Sequence, residues 1–596
     1  MIKELYQMTI TRKLHPRPQF IRENWESLDG QWDFRFDDEN QGLAEKWYEG
    51  FEKEMVITVP FTYETKASGI HQEEHHSVVW YRKHFTAEKT NQLLTLYFEG
   101  VDYETSVWIN GYLAGTHQGA YERFSFDISA FVQAGENEIV LRAEDSMACE
   151  QPRGKQRWKK DNFGCWYVQN TGIWKSVWME ERQHSISLDM VKITPDLDGD
   201  QVTFQPRVIT PAGFSDTVIF EAVITFAGAA VSEVRGSLHQ KMQIFTSDTR
   251  LAEDPCWGTK VWSPADPNLY DVTFRLYDES DQLLDEVSSY FGMRKIHIQN
   301  GQILLNNTTL YQRLILDQGY WPESSITPPS VEALELDLQR IKELGYNGLR
   351  KHQKLEDERF LYLCDQMGML VWSEMPSTYT YNDIAVENFV SEWQAIVKQY
   401  YNHPAIITWV PFNESWGIKD IAHNKAQQAF TETVYYLTKS YDPARPVITN
   451  DGWVHTISDI VTLHDYEEYG EMLAARYADK DAIVNNEIQF NKDFHAFADG
   501  YSYHGQPVII SEFGGIAFST AEGAEWGYGH HVGNEAEFMN RFDKIHQAIQ
   551  DLPYVVGYCY TQLTDVEQEV NGLLDVNRKP KLPVAPIVAI NERRLK

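Results

Sequence analysis

The sequence predicts a multidomain chain: an N-terminal jelly-roll β-sandwich, an immunoglobulin-like β-sandwich, and a C-terminal (β/α)8 barrel. Three observations predict it. The chain has 596 residues, beyond the ~250 to 300 at which a single core stops growing. Its first half reads as short alternating strands between turn signals, and its second half as strands alternating with helices.

In the first third, strand-like runs fall at residues 31–36, 56–59, 78–85, 93–98, 138–143 and 174–179. Between them, Ser106-Val107-Trp108-Ile109 and Tyr112-Leu113 flank Asn110-Gly111. Asn-Gly supplies the two positive φ angles of a type I′ hairpin turn. This spacing suits a jelly roll over residues 1–183. Runs at 202–208, 217–225, 241–246 and 270–276 then give a sandwich of immunoglobulin length over 184–294.

From residue 295 to 596 the rhythm changes. Val331, Leu334, Leu338 and Ile341 share one helical face, and Gly345 follows as a stop. Strand candidates fall at 309–314, 346–349, 369–372, 406–410, 446–449, 460–463, 508–510 and 555–560. Eight strands in about 300 residues is the size of a barrel with a packed interior.

Composition narrows the function. The net charge is -34, from 53 Lys plus Arg against 87 Asp plus Glu, with no basic run. Phosphate-backbone binding is therefore not expected, and no nucleic-acid partner is predicted. No stretch approaches the ~18 apolar residues of a membrane span, and the N-terminus offers no secretory core. The cysteines Cys149, Cys165, Cys256, Cys364 and Cys559 are scattered with no paired spacing, so a reduced cytoplasmic setting is expected. Most of the 18 Trp are assigned to cores, with some free to stack on sugar rings.

In such a barrel the chemistry sits where strands end at the C-terminal face. The fourth strand candidate runs into Asn413-Glu414-Ser415-Trp416-Gly417, and the seventh into Ser511-Glu512-Phe513-Gly514-Gly515. Two carboxyls flanking one glycosidic bond can protonate the leaving oxygen and attack the anomeric carbon. Taken singly, either Glu could equally be a loop salt bridge or cap. Other strand ends offer Asp317, Gln318, Tyr320 and Trp321 after the first, Arg350 and His352 after the second, Glu374 after the third, and Tyr560 to Gln562 after the eighth.

The two glutamate motifs resemble the signatures of glycoside hydrolase family 2, which holds β-galactosidases, β-glucuronidases and β-mannosidases. Leu28-Asp29-Gly30-Gln31-Trp32-Asp33-Phe34, Val79-Trp80-Tyr81-Arg82, Phe98-Glu99-Gly100-Val101-Asp102, Val107-Trp108-Ile109-Asn110-Gly111 and Thr171-Gly172-Ile173-Trp174 resemble its jelly roll in order. The resemblance implies that Glu414 is the general acid/base and Glu512 the nucleophile. It implies that Asn413 bonds the sugar 2-hydroxyl and that Arg350 lies beside the nucleophile. Tyr466 corresponds to a tyrosine touching that nucleophile, with His464 or Asp465 as alternatives for the place. Asp317, His352, Trp416 and Tyr560 complete the expected substrate pocket.

The chain departs from the better-known members in three places. Gln353 stands where a sugar-contacting histidine is expected, and Leu314-Ile315-Leu316-Asp317-Gln318 replaces an Arg-His-Glu-like run. Glu569-Val570-Asn571 stands where β-glucuronidases hold an Asn-x-Lys motif for the sugar carboxylate. A carboxylate there disfavours uronic acids.

The expected activity is therefore a retaining exo-glycosidase on terminal β-linked sugars of small oligosaccharides or glycosides. A β-galactosidase type ranks first, with β-glucuronidase, β-mannosidase or arabinosidase as alternatives. From another class comes an inactive carbohydrate-binding protein, against which the presence of both glutamates argues. A metal-dependent phosphoesterase would need clustered Asp and His ligands at the mouth. No cofactor and no metal are expected; the loop bearing His71, Glu73, Glu74, His75 and His76 reads as solvated surface, and Glu374 is noted as a candidate cation ligand. A homo-oligomer is compatible with the family.

Overall fold

The computed structural model describes residues 11–88, 93–211, 217–239, 243–253, 258–491, 493–518 and 526–593. Cys256 and the start of the 241–246 run lie outside them.

The first sandwich packs a four-stranded antiparallel sheet on a six-stranded one. Alternation places Trp32, Phe34, Tyr81, Leu96, Phe98, Val107 and Leu141 inside, each fully buried. The hairpin forms as the Asn-Gly pair demands, joining Glu104–Ile109 to Tyr112–Gln118 with φ of 51° at Asn110 and 81° at Gly111. One expected strand divides: Val177–Arg182 pairs in the small sheet, whereas Trp174 leaves it and enters the core of the barrel. The second sandwich packs three strands against four around Phe204, Phe220, Phe274 and Phe291.

The barrel strands are β1 (Gln312–Asp317), β2 (Gly348–Lys351), β3 (Leu370–Glu374), β4 (Ile406–Val410), β5 (Asn450–Asp451), β6 (Val461–His464), β7 (Val508–Gly514) and β8 (Val555–Thr561). Seven pair in parallel in the order β4-β3-β2-β1-β8-β7-β6. The ring closes through β5, a two-residue strand that begins just after the expected run at 446–449, where Val447 alone forms an isolated bridge to Trp409. It pairs only with Phe412–Asn413 beyond β4, and Gly452 N donates to Thr462 Oγ1 of β6 at 3.2 Å.

Helices α1 (Val331–Glu343), α2 (Glu358–Met367), α3 (Asp383–Tyr400) and α4 (Lys425–Tyr441) follow β1 to β4. After β6 come α5 (Gly470–Arg476) and α6 (Lys480–Val484), after β7 α7 (Glu535–Gln550), and after β8 α8 (Val584–Asn591). No helix separates β5 from β6, so the strict strand–helix alternation fails at that one step. The α1 helix runs over the expected apolar face, with Ser330 capping Ala333 N. Among the described residues, no helix is long and apolar enough to cross a membrane.

Two irregularities shape the mouth. On β7 the register shifts so that Leu463 faces Ile510 while His464 faces Glu512. The extra residue, Ser511, is a bulge that aims Glu512 rather than its neighbour into the barrel. After β4 the backbone turns through consecutive left-handed residues, Glu414 at φ 49° and Ser415 at φ 58°. Such conformations cost on the order of 1 to 3 kcal/mol each. They are held by Glu414 N donating to Asp451 O and Ser415 N to Asn450 Oδ1, both at 2.9 Å.

Candidate active site

Arg350 is the centre of the site. It is fully buried and faces three carboxylates: its Nη1 lies 2.7 Å from both Glu512 Oε1 and Asp451 Oδ2, and its Nε bonds Glu374. Its Nη2 donates to Asn413 Oδ1 at 2.7 Å. Burial alone would lower the guanidinium pKa, but Asp451, Glu374 and Glu512 outweigh it and hold the charge firmly. The same attraction keeps Asp451 well below the usual carboxylate range despite its burial.

Glu512 is gripped on both oxygens, by Arg350 on Oε1 and by the Tyr466 hydroxyl on Oε2. Tyr466 also lies 3.1 Å from Thr561 Oγ1 and stacks on Tyr528 with ring planes 3° apart. Burial and the Glu512 charge push the Tyr466 phenol well up, so it remains a donor. Across the mouth, Glu414 Oε1 lies 2.9 Å from His464 Nδ1. Glu414, His464 and Glu512 each bring one polar atom within 4.8 Å of the others.

That triangle has the spacing of a metal site, yet its donors are committed. Both Glu512 oxygens are bonded, and the two ring nitrogens of His464 face Glu414 and Asp451. Glu374 is likewise engaged, with Arg350 and Gln353 N as donors and His352 Nδ1 2.9 Å away. His352 lies 4.0 Å from Glu512. Burial, with the nearby charges of Lys155 and Arg350, lowers its pKa and keeps it neutral.

Of the expected pocket residues, Asn413, Glu414, Arg350, His352, Tyr466 and Glu512 come together. Trp416 stands at the rim, its ring edge-on to Trp166 at 5.1 Å and to Tyr379 at 5.5 Å. Asp317 and Tyr560 do not join them, and side-chain alternation along the strands is the reason. Arg350 points inward on β2, so Lys351 points outward against Phe360 of α2. Asp317 goes with it, in a buried cluster with Lys351 and Glu356 behind the barrel wall. On β8 it is Thr561 that faces the mouth, and Tyr560 packs outward on Phe542 and His546 of α7. Gln318, one residue beyond Asp317, turns inward and donates to Glu569 Oε2 at 2.7 Å and to Gln562 Oε1 at 2.8 Å.

Three residues of the candidate site, Asp451, Tyr528 and Lys155, escaped the sequence reading, and a fourth, His464, entered it only as an alternative for the place of Tyr466. Asp451 and His464 end β5 and β6, and the strand-end rule could have found both. Tyr528 lies in the connection after β7, where no periodicity marks it. Lys155 comes from the first sandwich. Its loop is seated on the barrel by Arg153 N donating to Ser377 O at 2.9 Å and by Gly154, whose φ is 60°. A Cβ at Gly154 would lie 2.4 Å from Gln353 O. Lys155 is buried beside Trp166 and the Cys165 thiol, and among the described residues it forms no ion pair. Tyr167 of the same loop donates to Glu569.

Comparison with known proteins agrees from residue 25 to residue 582. Residues 25–183 match the sugar-binding domain of glycosyl hydrolases family 2, residues 186–294 the family 2 middle domain, and residues 296–582 its TIM barrel domain. The chain belongs to glycosyl hydrolase family 2.

Among its relatives in this glycoside hydrolase family, a β-galactosidase of Thermoanaerobacter pseudethanolicus is 25% identical over 85% of this chain and 67% of its own length. A β-glucuronidase of Streptococcus agalactiae is 22% identical over 94% of each chain. The chain spans only 50% of a Pseudoalteromonas haloplanktis β-galactosidase that is 26% identical. A solved β-glucuronidase from Ruminococcus gnavus superposes with a TM-score of 0.77 at 18% identity, covering 96% of this chain and 98% of that one. The three-domain fold is thus shared with family 2 enzymes of two named activities.

Proposed function

We propose that this family 2 member is a retaining exo-acting β-glycosidase, with Glu512 as nucleophile and Glu414 as general acid/base. The observation that carries the reading is the gap between them: an oxygen of Glu414 and an oxygen of Glu512 lie within 4.8 Å. Retaining enzymes need carboxyls about 5 to 5.5 Å apart, and inverting ones about 6.5 to 9.5 Å so that a water fits between. Arg350 donates to one oxygen of Glu512, and the Tyr466 hydroxyl donates to the other, so the carboxylate is held in place for attack. As Glu512 bonds the anomeric carbon its charge is consumed, while Glu414 gives a proton to the departing oxygen. Asn413, anchored by Arg350, stands beside the acid to meet a sugar hydroxyl.

A neutral β-galactoside type remains the first choice of sugar. Glu569 supports it: the carboxylate is buried at the mouth, accepting from Gln318, Gln562 and Tyr167, and a uronic acid would bring a second negative charge toward it. Lys155 favours a second reading, β-glucuronidase, because its ammonium, beside the Cys165 thiol and without an ion pair among the described residues, could meet a sugar carboxylate.

A panel of nitrophenyl galactosides, glucuronides, mannosides, glucosides and arabinosides decides between them. Galactoside turnover is expected to exceed glucuronide turnover; the reverse order, lost in Lys155→Met, would establish the second reading. NMR of the first-formed sugar should show the β-anomer, and an α-anomer would refute the double displacement. Glu512→Ala should lose at least ~10⁴-fold in kcat, with partial rescue by azide giving an inverted adduct.

A further inference from the structure

His464 belongs to neither role assigned above, yet it is the group that connects them. It ends β6 and its ring is fully buried. Nδ1 lies 2.9 Å from Glu414 Oε1 and 3.6 Å from Glu512 Oε1, and Nε2 lies 3.3 Å from Asp451 Oδ2. The ring is fixed by its surroundings. It rests on Gly452, where an added Cβ would come within 2.7 Å of Nδ1, and Trp453 meets it edge-on at 5.6 Å.

Both ring nitrogens therefore face oxygens that carry no hydrogen when ionised, and an imidazole satisfies acceptors at both nitrogens only as the doubly protonated cation. One cation opposes this, Arg350, whose Nη1 lies 3.4 Å from Nε2. The neighbouring His352 and His455 are themselves held neutral by burial. Burial would lower the His464 pKa too, but Glu512, Asp451 and the hydrogen bonds to Asp451 and Glu414 push it up to about 10. Glu414 shows the complement. Its burial acts upward, but the hydrogen bond and charge of His464, with Lys155 and Arg350, bring it below its ordinary value. A carboxyl so placed is ionised at neutral pH and, by itself, has no proton to give.

We propose that His464 stores the proton that Glu414 delivers, so that the two side chains work as one acid–base unit holding a single proton. This rests on the retaining-glycosidase reading and adds a residue to it. His464 acts through Glu414 and touches no substrate atom. As Glu512 attacks, its negative charge passes into the new bond to the anomeric carbon, and the imidazolium loses a counter-charge 3.6 Å away. The proton leaves Nδ1 for Glu414 Oε1, and the resulting acid protonates the glycosidic oxygen as the C–O bond breaks and its electron pair departs with the alcohol. Glu414 is then a carboxylate and His464 neutral. In the second half-reaction Glu414 takes a proton from the attacking water and returns it to His464, while the water oxygen bonds the anomeric carbon and frees Glu512.

The unit is competent wherever it holds one proton, so activity should persist to alkaline pH. The test compares kcat/KM against pH for wild type, His464→Gln and His464→Asn, with alkyl and dinitrophenyl glycosides. The expected result is a basic limb shifted down by about one pH unit or more in both variants. Alkyl substrates should lose ~10²-fold or more, and dinitrophenyl substrates, which need no proton, far less. An unmoved basic limb, or equal loss on both substrate classes, would overturn the proposal. Should both variants fail to fold, ¹⁵N-histidine NMR of the wild type replaces them. One imidazole is expected to stay doubly protonated at pH 8, and finding every histidine neutral there would overturn it. Wild type that hydrolyses no β-glycoside would instead remove the reading on which the proposal stands.

Discussion

At the scale of single residues, identical side-chain types do opposite work here according to what surrounds them. Glu414, Glu512, Glu374 and Glu569 are all drawn to the barrel mouth, but it is the first two that bring one oxygen each within 4.8 Å of the other. Glu374 is consumed in orienting Arg350 and His352. Removing the acid therefore has a selective cost. Glu414→Ala should spare dinitrophenyl glycosides, whose leaving groups depart unprotonated, and reduce alkyl glycosides by ~10² to 10⁴-fold; steady-state kinetics on both classes checks this, and equal losses would remove Glu414 from the role. Asp317 has the opposite character. Because it pairs with Lys351 behind the wall, Asp317→Ala should leave KM within about twofold and lower stability by ~1 to 3 kcal/mol, the cost of one lost charged hydrogen bond where Glu356 still faces Lys351. Urea melts and kinetics on the same variant separate these outcomes.

At the scale of elements, the site depends on departures from regular structure. The β7 bulge turns Glu512 inward, and the left-handed pair Glu414 and Ser415 folds the end of β4 back over β5. The β5 strand is short because Asn450 and Asp451 serve this turn: Asn450 Oδ1 and Asp451 O accept from the two strained residues. The same logic governs the sandwich loop that carries Lys155. Gly154→Ala would place a methyl group 2.4 Å from Gln353 O at a φ of 60°. The loop must then lift away from β2 and β3, and Lys155, Trp166 and Tyr167 with it. The expected outcome is a KM raised ~10-fold or more, with unfolding shifted by no more than ~1 to 2 kcal/mol. An unchanged KM would show that the loop does not bear on substrate.

At the scale of the whole molecule, the first sandwich contributes to the candidate site and to the barrel core. Tyr103, Tyr121, Tyr167 and Trp174 are buried within the same apolar cluster as the barrel strands. Thr327 Oγ1, beyond β1, donates to Trp174 O at 2.7 Å, and Arg294, at the end of the second sandwich, donates to Pro404 O and Ile406 O beside β4. Residues 295–596 expressed alone should therefore expose this apolar surface and yield neither soluble nor active protein. Recovery of full activity from that fragment, measured with a chromogenic glycoside, would contradict the shared-core account.

The sequence by itself determined the three-domain order, the alternating cores, the hairpin at Asn110-Gly111 and the two glutamates, together with Asn413, Arg350 and Tyr466. The fold follows from local rules, since periodicity sets which face is buried, turn residues set the breaks, and strand ends set where barrel chemistry can occur; the places of Asn413, Arg350 and Tyr466 were implied by the family resemblance. The sequence could not say which of two adjacent residues at a strand end turns inward, and so Asp317 and Tyr560 were placed in the pocket where Gln318 and Thr561 stand. Nor could it bring Lys155 toward Glu414 and Tyr167 to Glu569 across more than two hundred residues, or join His464 to both glutamates. Those placements belong to tertiary structure alone, because a bulge or a shear of one residue reverses a side chain's direction, and contacts between distant segments are set by how whole domains pack.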